Sequence, residues 1–176
     1  MKTTMLTTTE RAQEIRNGLK RAGIPSRAVS VRSSSFSMGS SIDISVKDIS
    51  VRLDIVKAIA QQHEDVRRDE YTGEILGGGN RYVSVSYDSD ALRSASDAYL
   101  PEAEKIVARC TPGTFEPIAC RGTLSLVYYC DGPVDSKLII SNGETFLYDL
   151  GKYGAHNPRA IAEGLALFHA AGNFRA

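Results

Sequence analysis

The chain has 176 residues, 42% hydrophobic and 24% charged, proportions that suit a globular protein of one ordinary domain or two very small ones. Twenty-one basic residues balance twenty-one acidic ones. That balance excludes whole-surface steering toward nucleic acid or acidic lipid, and equally excludes wholesale mimicry of DNA.

Taken in order, Leu6 to Ala22 reads as a helix. Thr7 with Glu10 three residues on forms a capping box, Ala12, Ile15, Leu19 and Ala22 make one apolar stripe, and Gly23 and Pro25 stop it. Arg11, Arg16, Lys20 and Arg21 fall off that stripe, so they are expected to face solvent or a partner. A strand–loop–strand ribbon follows from Arg27 to Asp48. Val29 and Val31, then Ile42, Ile44 and Val46, alternate with polar residues, which is the pattern of strands buried on one face. Ser30, Arg32, Asp43, Ser45 and Lys47 then face water. The serine-rich connector Ser33–Ser41 is expected to be a loop too long for a two-residue turn. Phe36 and Met38 within it either tuck over the core edge or stand out as an apolar anchor for a partner.

Ser50 is placed to cap a second helix that runs to about His63 on an apolar face of Val51, Ile55, Val56, Ile59 and Ala60. A charged and then glycine-rich stretch, Glu64 to Asn80, leads to a third strand, Arg81 to Tyr87. The first ninety residues thus read α-β-β-α-β. Asp90 to Cys110 is helical with Pro101 at a break or a first turn, and Ala103, Ile106 and Val107 face inward. Thr123–Cys130, Lys137–Ser141 and Glu144–Leu150 are strands, the last two joined by Asn142-Gly143. Phe115–Cys120 is a further edge candidate, since Pro117 argues against a central place. Asn157-Pro158 starts a final helix whose buried stripe is Ile161, Leu165 and Phe168. The class is α+β: an α-β-β-α-β half over 1–90, then an antiparallel meander plus helix over 91–176, the two expected to pack as one compact unit.

Chemistry-bearing residues are scattered. Cys110, Cys120 and Cys130 form no C-x-x-C, and His63, His156 and His169 stand apart, so no metal site or cofactor is expected. A thiol–imidazole pair from Cys120 or Cys130 with His156 would have to assemble in space. Gly77-Gly78-Gly79 precedes a strand and opens no helix, so it reads as a flexible approach and not as a phosphate loop. Gly151-Lys152-Tyr153-Gly154 lies before a helix, where an anion can bind, although a plain strand-to-helix loop is the simpler reading. No secretory leader and no apolar run of membrane-spanning length is evident, so a reducing cytoplasm is the expected compartment. Locally the charge is uneven. Residues 1–34 carry seven cationic side chains to two anionic ones, and residues 64–74 carry two to five.

The helix ending in Leu19-Lys20, the run Ser30-Val31-Arg32, the run from Gly39 to Ser45 (GSSIDIS) and the strand Arg81–Val85 (RYVSV) together resemble a known module. Residues from about Arg11 to Asp90 are similar to the twenty-ninth of the large polyvalent protein-associated domains. Val46 stands where members often carry Trp, and Ile49-Ser50 follows Asp48 where they carry Gly-Pro. The resemblance implies an α+β module of phage and conjugative-element proteins, found beside anti-restriction, protease or DNA-processing domains. It brings no catalytic residues with it. The expected function is that of a non-catalytic accessory protein, made by a mobile element in the host cytoplasm. It would bind a host protein or defence complex, with Arg32, Phe36, Met38, Arg67 and Arg68 in contact, as an anti-CRISPR or anti-restriction inhibitor would. The alternatives are nucleic-acid binding through Arg16, Lys20, Arg21, Arg27 and Tyr82, and an enzyme using Asp43, Asp48 or Asp88.

Overall fold

Local signals at Thr7 set where the first helix begins. In the computed structural model, which describes residues 6–109, 118–120, 124–128, 135–142, 144–152 and 157–170, α1 spans Thr8–Arg21. Glu10 N–H donates to the Thr7 hydroxyl at 3.3 Å, and Thr7 N–H donates to the Glu10 carboxylate at 2.7 Å. Gly23 ends the helix at φ 79°, a backbone region open to a residue without Cβ. The chain divides into two compact units, Met1–Asp88 and Ser89–Ala176.

In the first unit, β1 (Val29–Phe36) pairs antiparallel with β2 (Gly39–Val46), and β2 pairs parallel with β3 (Asn80–Tyr87). The helix α2 (Leu53–Ala60), extended by a 3-10 turn at Gln61–His63, lies within the connection that a parallel pairing requires. The expected α-β-β-α-β order is the order found. Ala12, Ile15 and Leu19 of α1 and Val56 and Ala60 of α2 pack on Val29, Ile42, Ile44 and Val46, all buried. Each of the Val, Leu and Ile side chains among them stabilises the fold by about 1.5–3 kcal/mol relative to exposure. Arg32, Asp43 and Lys47 on the opposite face are exposed, so the sheet has water on one side as its alternation requires.

Five details of the first unit differ from the sequence reading. The serine connector is no loop: β1 and β2 run on to Phe36 opposite Gly39, and only Ser37-Met38 turn the chain. Serines sustain the strands there because they bond to each other, as Ser34 Oγ does with Ser41 Oγ at 2.8 Å. Ser50 does not cap α2. Its N–H and hydroxyl both donate to Asp48, at 3.0 and 2.6 Å, and α2 starts after Arg52. Ile55 is 44% exposed and falls outside the buried face of α2. Ala22 is exposed because α1 has already ended.

The fifth concerns Arg11, which is buried at 3% exposure instead of facing solvent or a partner. Its Nη1 donates to the His63 carbonyl at 2.9 Å and its Nη2 to Ser40 Oγ at 3.0 Å. One guanidinium thus ties α1 to the end of the α2 segment and to the start of β2. Burial lowers its pKa from the ordinary guanidinium value; the like charge of Arg81 adds to this and Asp65 opposes it.

In the second unit, α3 (Ser89–Ser96), a 3-10 turn at Asp97–Tyr99 and α4 (Leu100–Arg109) precede a four-stranded antiparallel sheet. Its order is β4 (Ile118–Cys120), β5 (Leu124–Tyr128), β6 (Asp135–Asn142) and β7 (Glu144–Lys152). Ile118–Cys120 takes the edge place expected for this segment, and Gly143 of the expected turn lies outside the described residues. α5 (Pro158–Ala170) opens with Asn157 Oδ1 accepting from Arg159 N–H at 3.0 Å. Ile161, Leu165 and Phe168 are buried with Ala103, Ile106 and Leu150. Arg159 Nη1 binds Asp97 at 2.5 Å and Ser96 Oγ at 3.1 Å, joining α5 to the turn between α3 and α4. Among the described residues no helix is long and apolar enough to cross a membrane.

Arg11→Ala leaves the His63 carbonyl and the Ser40 hydroxyl short of a buried partner. The expected loss is about 3 kcal/mol of first-unit stability in urea unfolding. Arg16→Ala, at an exposed site, is expected to cost under about 1 kcal/mol.

Candidate protein-binding surface

Strand register decides which side chains share the water-facing side of the first sheet. Rows of that face read Ser30/Ser45/Ser86, Arg32/Asp43/Ser84 and Ser34/Ser41/Tyr82, with Phe36 at the end of β1. The face is therefore small and hydroxyl-rich until it reaches an aromatic pair. Phe36 and Tyr82 stack with ring centroids 6.3 Å apart and planes 22° apart. Phe36 is 49% exposed and Met38, in the turn beside it, 58% exposed. Of the two sequence readings for these residues, the exposed one describes their placement.

The stretch between α2 and β3 folds back against this end of the sheet. Asp65 and Arg81 exchange backbone hydrogen bonds at 2.9 Å, and Leu76 N–H donates to the Arg67 carbonyl at 2.9 Å. Asn80, 3% exposed, fastens the segment: its Oδ1 accepts from Arg67 N–H at 3.1 Å and its Nδ2 donates to the Leu76 carbonyl at 2.7 Å. The Arg67 guanidinium donates to the carbonyls of Gly77 and Gly78, at 3.4 and 2.5 Å. A Cβ on Gly77 would lie 3.5 Å from Met38 Cε, so the glycine run passes beside the turn. Ile75 and Leu76, 48% and 44% exposed, belong to the same segment. Gly39 admits no side chain, because a Cβ there would collide with the Asn80 carbonyl oxygen.

The residues proposed for contact are thus distributed unevenly. Phe36, Met38 and Arg67 converge at the turn end of the sheet, together with Tyr82. Arg32 sits farther along the same face, and Arg68 lies in the 65–76 segment with its Nη1 donating to Gly73. Arg16, Lys20 and Arg21 belong to α1, which packs on the opposite face, and Arg27 is exposed just before β1. The nucleic-acid set is therefore not gathered on one face with Tyr82. Asn80 has no sequence signal beyond its type, and Gly39, which the sequence offers as the turn of the connector and the start of the GSSIDIS run, instead opens β2 opposite Phe36; only the pairing of β2 with β3 shows why it must lack a side chain.

A charged side chain reaches each outer edge of this sheet, the β3 edge being further covered at Arg81 by the Asp65 backbone. Arg16 Nη2 donates to the Val31 carbonyl on β1 at 2.7 Å, and Val83 N–H of β3 donates to the Glu64 carboxylate at 3.4 Å. Between α1 and α2 a cleft of about 540 Å³ is lined by Glu14, Asn17, Gly18, Arg21, Gln62 and His63 over Ile59. His63 Nδ1 is 3.7 Å from the Glu14 carboxylate. The carboxylates considered for catalysis are each engaged by a neighbouring serine. Asp43 accepts from Ser41 at 3.2 Å, Asp48 from Ser50, and Asp88 from Ser45 at 3.0 Å. Hydrogen bonds from the Ser50 hydroxyl, then from Ser50 N–H, hold the Asp48 carboxyl below the ordinary range. Cys110, Cys130, His156 and residues 153–154 of the considered anion loop lie outside the described residues, as does the Cys120 side chain.

No family model matches the chain, no curated protein matches it in sequence, and no solved structure matches it in fold.

Asp69 supplies a pH test of the segment beside the surface. N–H groups of Thr72 and then Tyr71, with the Thr72 hydroxyl, hold its carboxyl below the ordinary carboxylate range. A lowered folded pKa favours the ordered turn at every pH above the unfolded value, and that contribution is lost as pH falls through the folded one. Tyr71 and Thr72 amide resonances are expected to stay constant from pH 7 down through the ordinary carboxylate range and to move together only below it. Asp69→Ala removes that acid transition.

Proposed function

We propose that the protein is a non-catalytic binding protein of a phage or other mobile element, acting in the host cytoplasm on a host protein. The apolar cluster of Phe36, Met38 and Tyr82 carries this reading. Phe36 and Met38, half exposed at the hairpin turn, with Tyr82 stacked on Phe36 and a fastened segment behind them, have the character of contact residues. Their geometry is held by Asn80 and Gly39, so little ordering cost falls on association. Arg67, its guanidinium held by the Gly77 and Gly78 carbonyls, lies beside the cluster, and Arg32 adds a cation farther along the same face. The mobile-element setting, and with it the inhibition of a restriction or CRISPR complex, rests on the resemblance of residues 11–90 to the polyvalent-protein module alone.

A second reading keeps the same face and changes the partner. Phe36 and Tyr82 form an aromatic pair on an open sheet with Arg32 on the same face, as single-stranded nucleic acids require of a stacking platform. Fluorescence anisotropy with a labelled single strand separates the two, because binding of this kind weakens steeply as salt rises.

Affinity capture from host lysate is expected to retain one stoichiometric protein on the wild type. The Phe36→Ser/Met38→Ser variant, with an unchanged melting temperature, loses it. Equal capture by both chains, or no stoichiometric partner on either, removes the proposal. Expression in a host carrying restriction or CRISPR immunity is expected to raise phage plating, and the double variant to abolish that gain.

A further inference from the structure

The free edge of β1 is more than the rim of the sheet. Ser37-Met38 make a two-residue turn, so Phe36 and Gly39 form a hydrogen-bonded pair, and Ser34, Arg32 and Ser30 also direct their backbone groups toward β2. The Ala28 carbonyl, which accepts from Lys47 N–H at 2.7 Å, fits the same phase. Val31, Ser33 and Ser35 therefore turn their N–H and C=O groups outward. The Val31 carbonyl is the one that Arg16 fills. For Ser33 and Ser35, both exposed, no described residue supplies a backbone partner on that side.

Arg16 occupies the position in which the N–H of an added strand would donate. Among the described residues no carboxylate forms an ion pair with it. β1 contains Arg32 and no carboxylate, and Lys20 lies one turn beyond Arg16 on α1. Of the acidic residues on α1, Glu10 is turned to the Thr7 cap and Glu14 to His63. The nearest carboxylate in the sheet is Asp43, on β2, on the far side of Arg32 from the open edge.

The geometry points to the β1 edge as a strand-addition site for an extended, acidic peptide segment of a protein partner. A strand laid about 4.8 Å outside β1 takes up the open groups of Ser33 and Ser35. Its side chain beside Val31 lies under Arg16, and the next one, beside Arg32, lies on the water-facing side, so a carboxylate at each position meets a cation. Four residues along, its side chain neighbours Phe36, where an apolar group fits. The segment is thus two adjacent acidic residues, small or β-branched residues, then a large apolar one. This deepens the binding reading and rests on it for the existence of a partner, while its chemistry is read from the edge alone.

The test uses the full chain and defined probes: the capped peptide Glu-Glu-Thr-Val-Thr-Phe, its reversed sequence for the opposite strand direction, and both with lysine for glutamate. One glutamate peptide is expected to bind at least about tenfold more tightly than its lysine counterpart at low salt, and to lose that margin in high salt. It slows hydrogen exchange at Ser33 and Ser35 without affecting Val85 on β3. Ser33→Pro removes an outward N–H and leaves the β1–β2 ladder intact, so binding is lost at an unchanged melting temperature. Arg16→Glu/Arg32→Glu, a second variant that spares the backbone, reverses the preference to lysine. Equal binding of glutamate and lysine peptides, no binding at millimolar peptide, or protection of β3 instead overturns the assignment. So does self-association in sedimentation that Ser33→Pro abolishes, since the occupant is then a second copy. A host partner captured through Phe36 and Met38 while these peptides fail sinks the strand-addition site and leaves the binding reading standing.

Discussion

Arg11 is a cation withdrawn from water in a protein with few other buried polar side chains among the described residues. Desolvating a guanidinium is costly, and only directed hydrogen bonds offset it. Both bonds go to elements far apart in sequence: the carbonyl at the end of the α2 segment and the hydroxyl at the start of β2. A helix C-terminal end carries partial negative charge, which adds to the attraction. The angle of α1 over the sheet, the closing of α2 against it and the approach of β2 to β3 near Gly39 all meet around this side chain. Apolar burial supplies most of the driving force; Arg11 contributes a single register in which that burial occurs.

Much of the fold was legible because alternation and capping are local. The Thr7–Glu10 box, the Ile42/Ile44/Val46 stripe, the Asn157 cap and the Ile161/Leu165/Phe168 stripe depend on neighbours within one turn or one strand. What was not legible depends on pairing at a distance. Arg11 occupies an off-stripe position on α1, and no periodicity marks a charged residue for burial. Serines in a run read as a loop by composition, yet opposite a second run of serines they sustain a ladder. Parallel pairing of β3 has no signature in the alternation of Arg81–Tyr87, which would look the same in an antiparallel strand.

The surface was legible in part for the same reason. Phe36 and Met38 stand out as large apolar residues among serines, and Tyr82 as an aromatic in a strand. Their convergence follows only from the register Phe36–Gly39–Asn80 across three strands. Arg67 reads from the sequence as a contact residue, and the structure also uses it twice as scaffold, through its N–H and through its guanidinium. Arg16 was read as a helix-surface cation, and its actual engagement with a strand carbonyl needs the packing of α1 beside β1.

The two-residue turn at Ser37-Met38 and the long return to β3 give the first sheet a division of labour in time. β1 and β2 are adjacent in the chain, so they can zip together early at small entropic expense. β3 reaches β2 across residues 47–79, which hold a helix and the fastened segment, so its pairing closes a much longer loop. The strand whose pairing closes the longer loop in this sheet is the one that brings Tyr82 beside Phe36. A nascent chain carries the whole hairpin before it carries Tyr82, and so before it can present the aromatic pair.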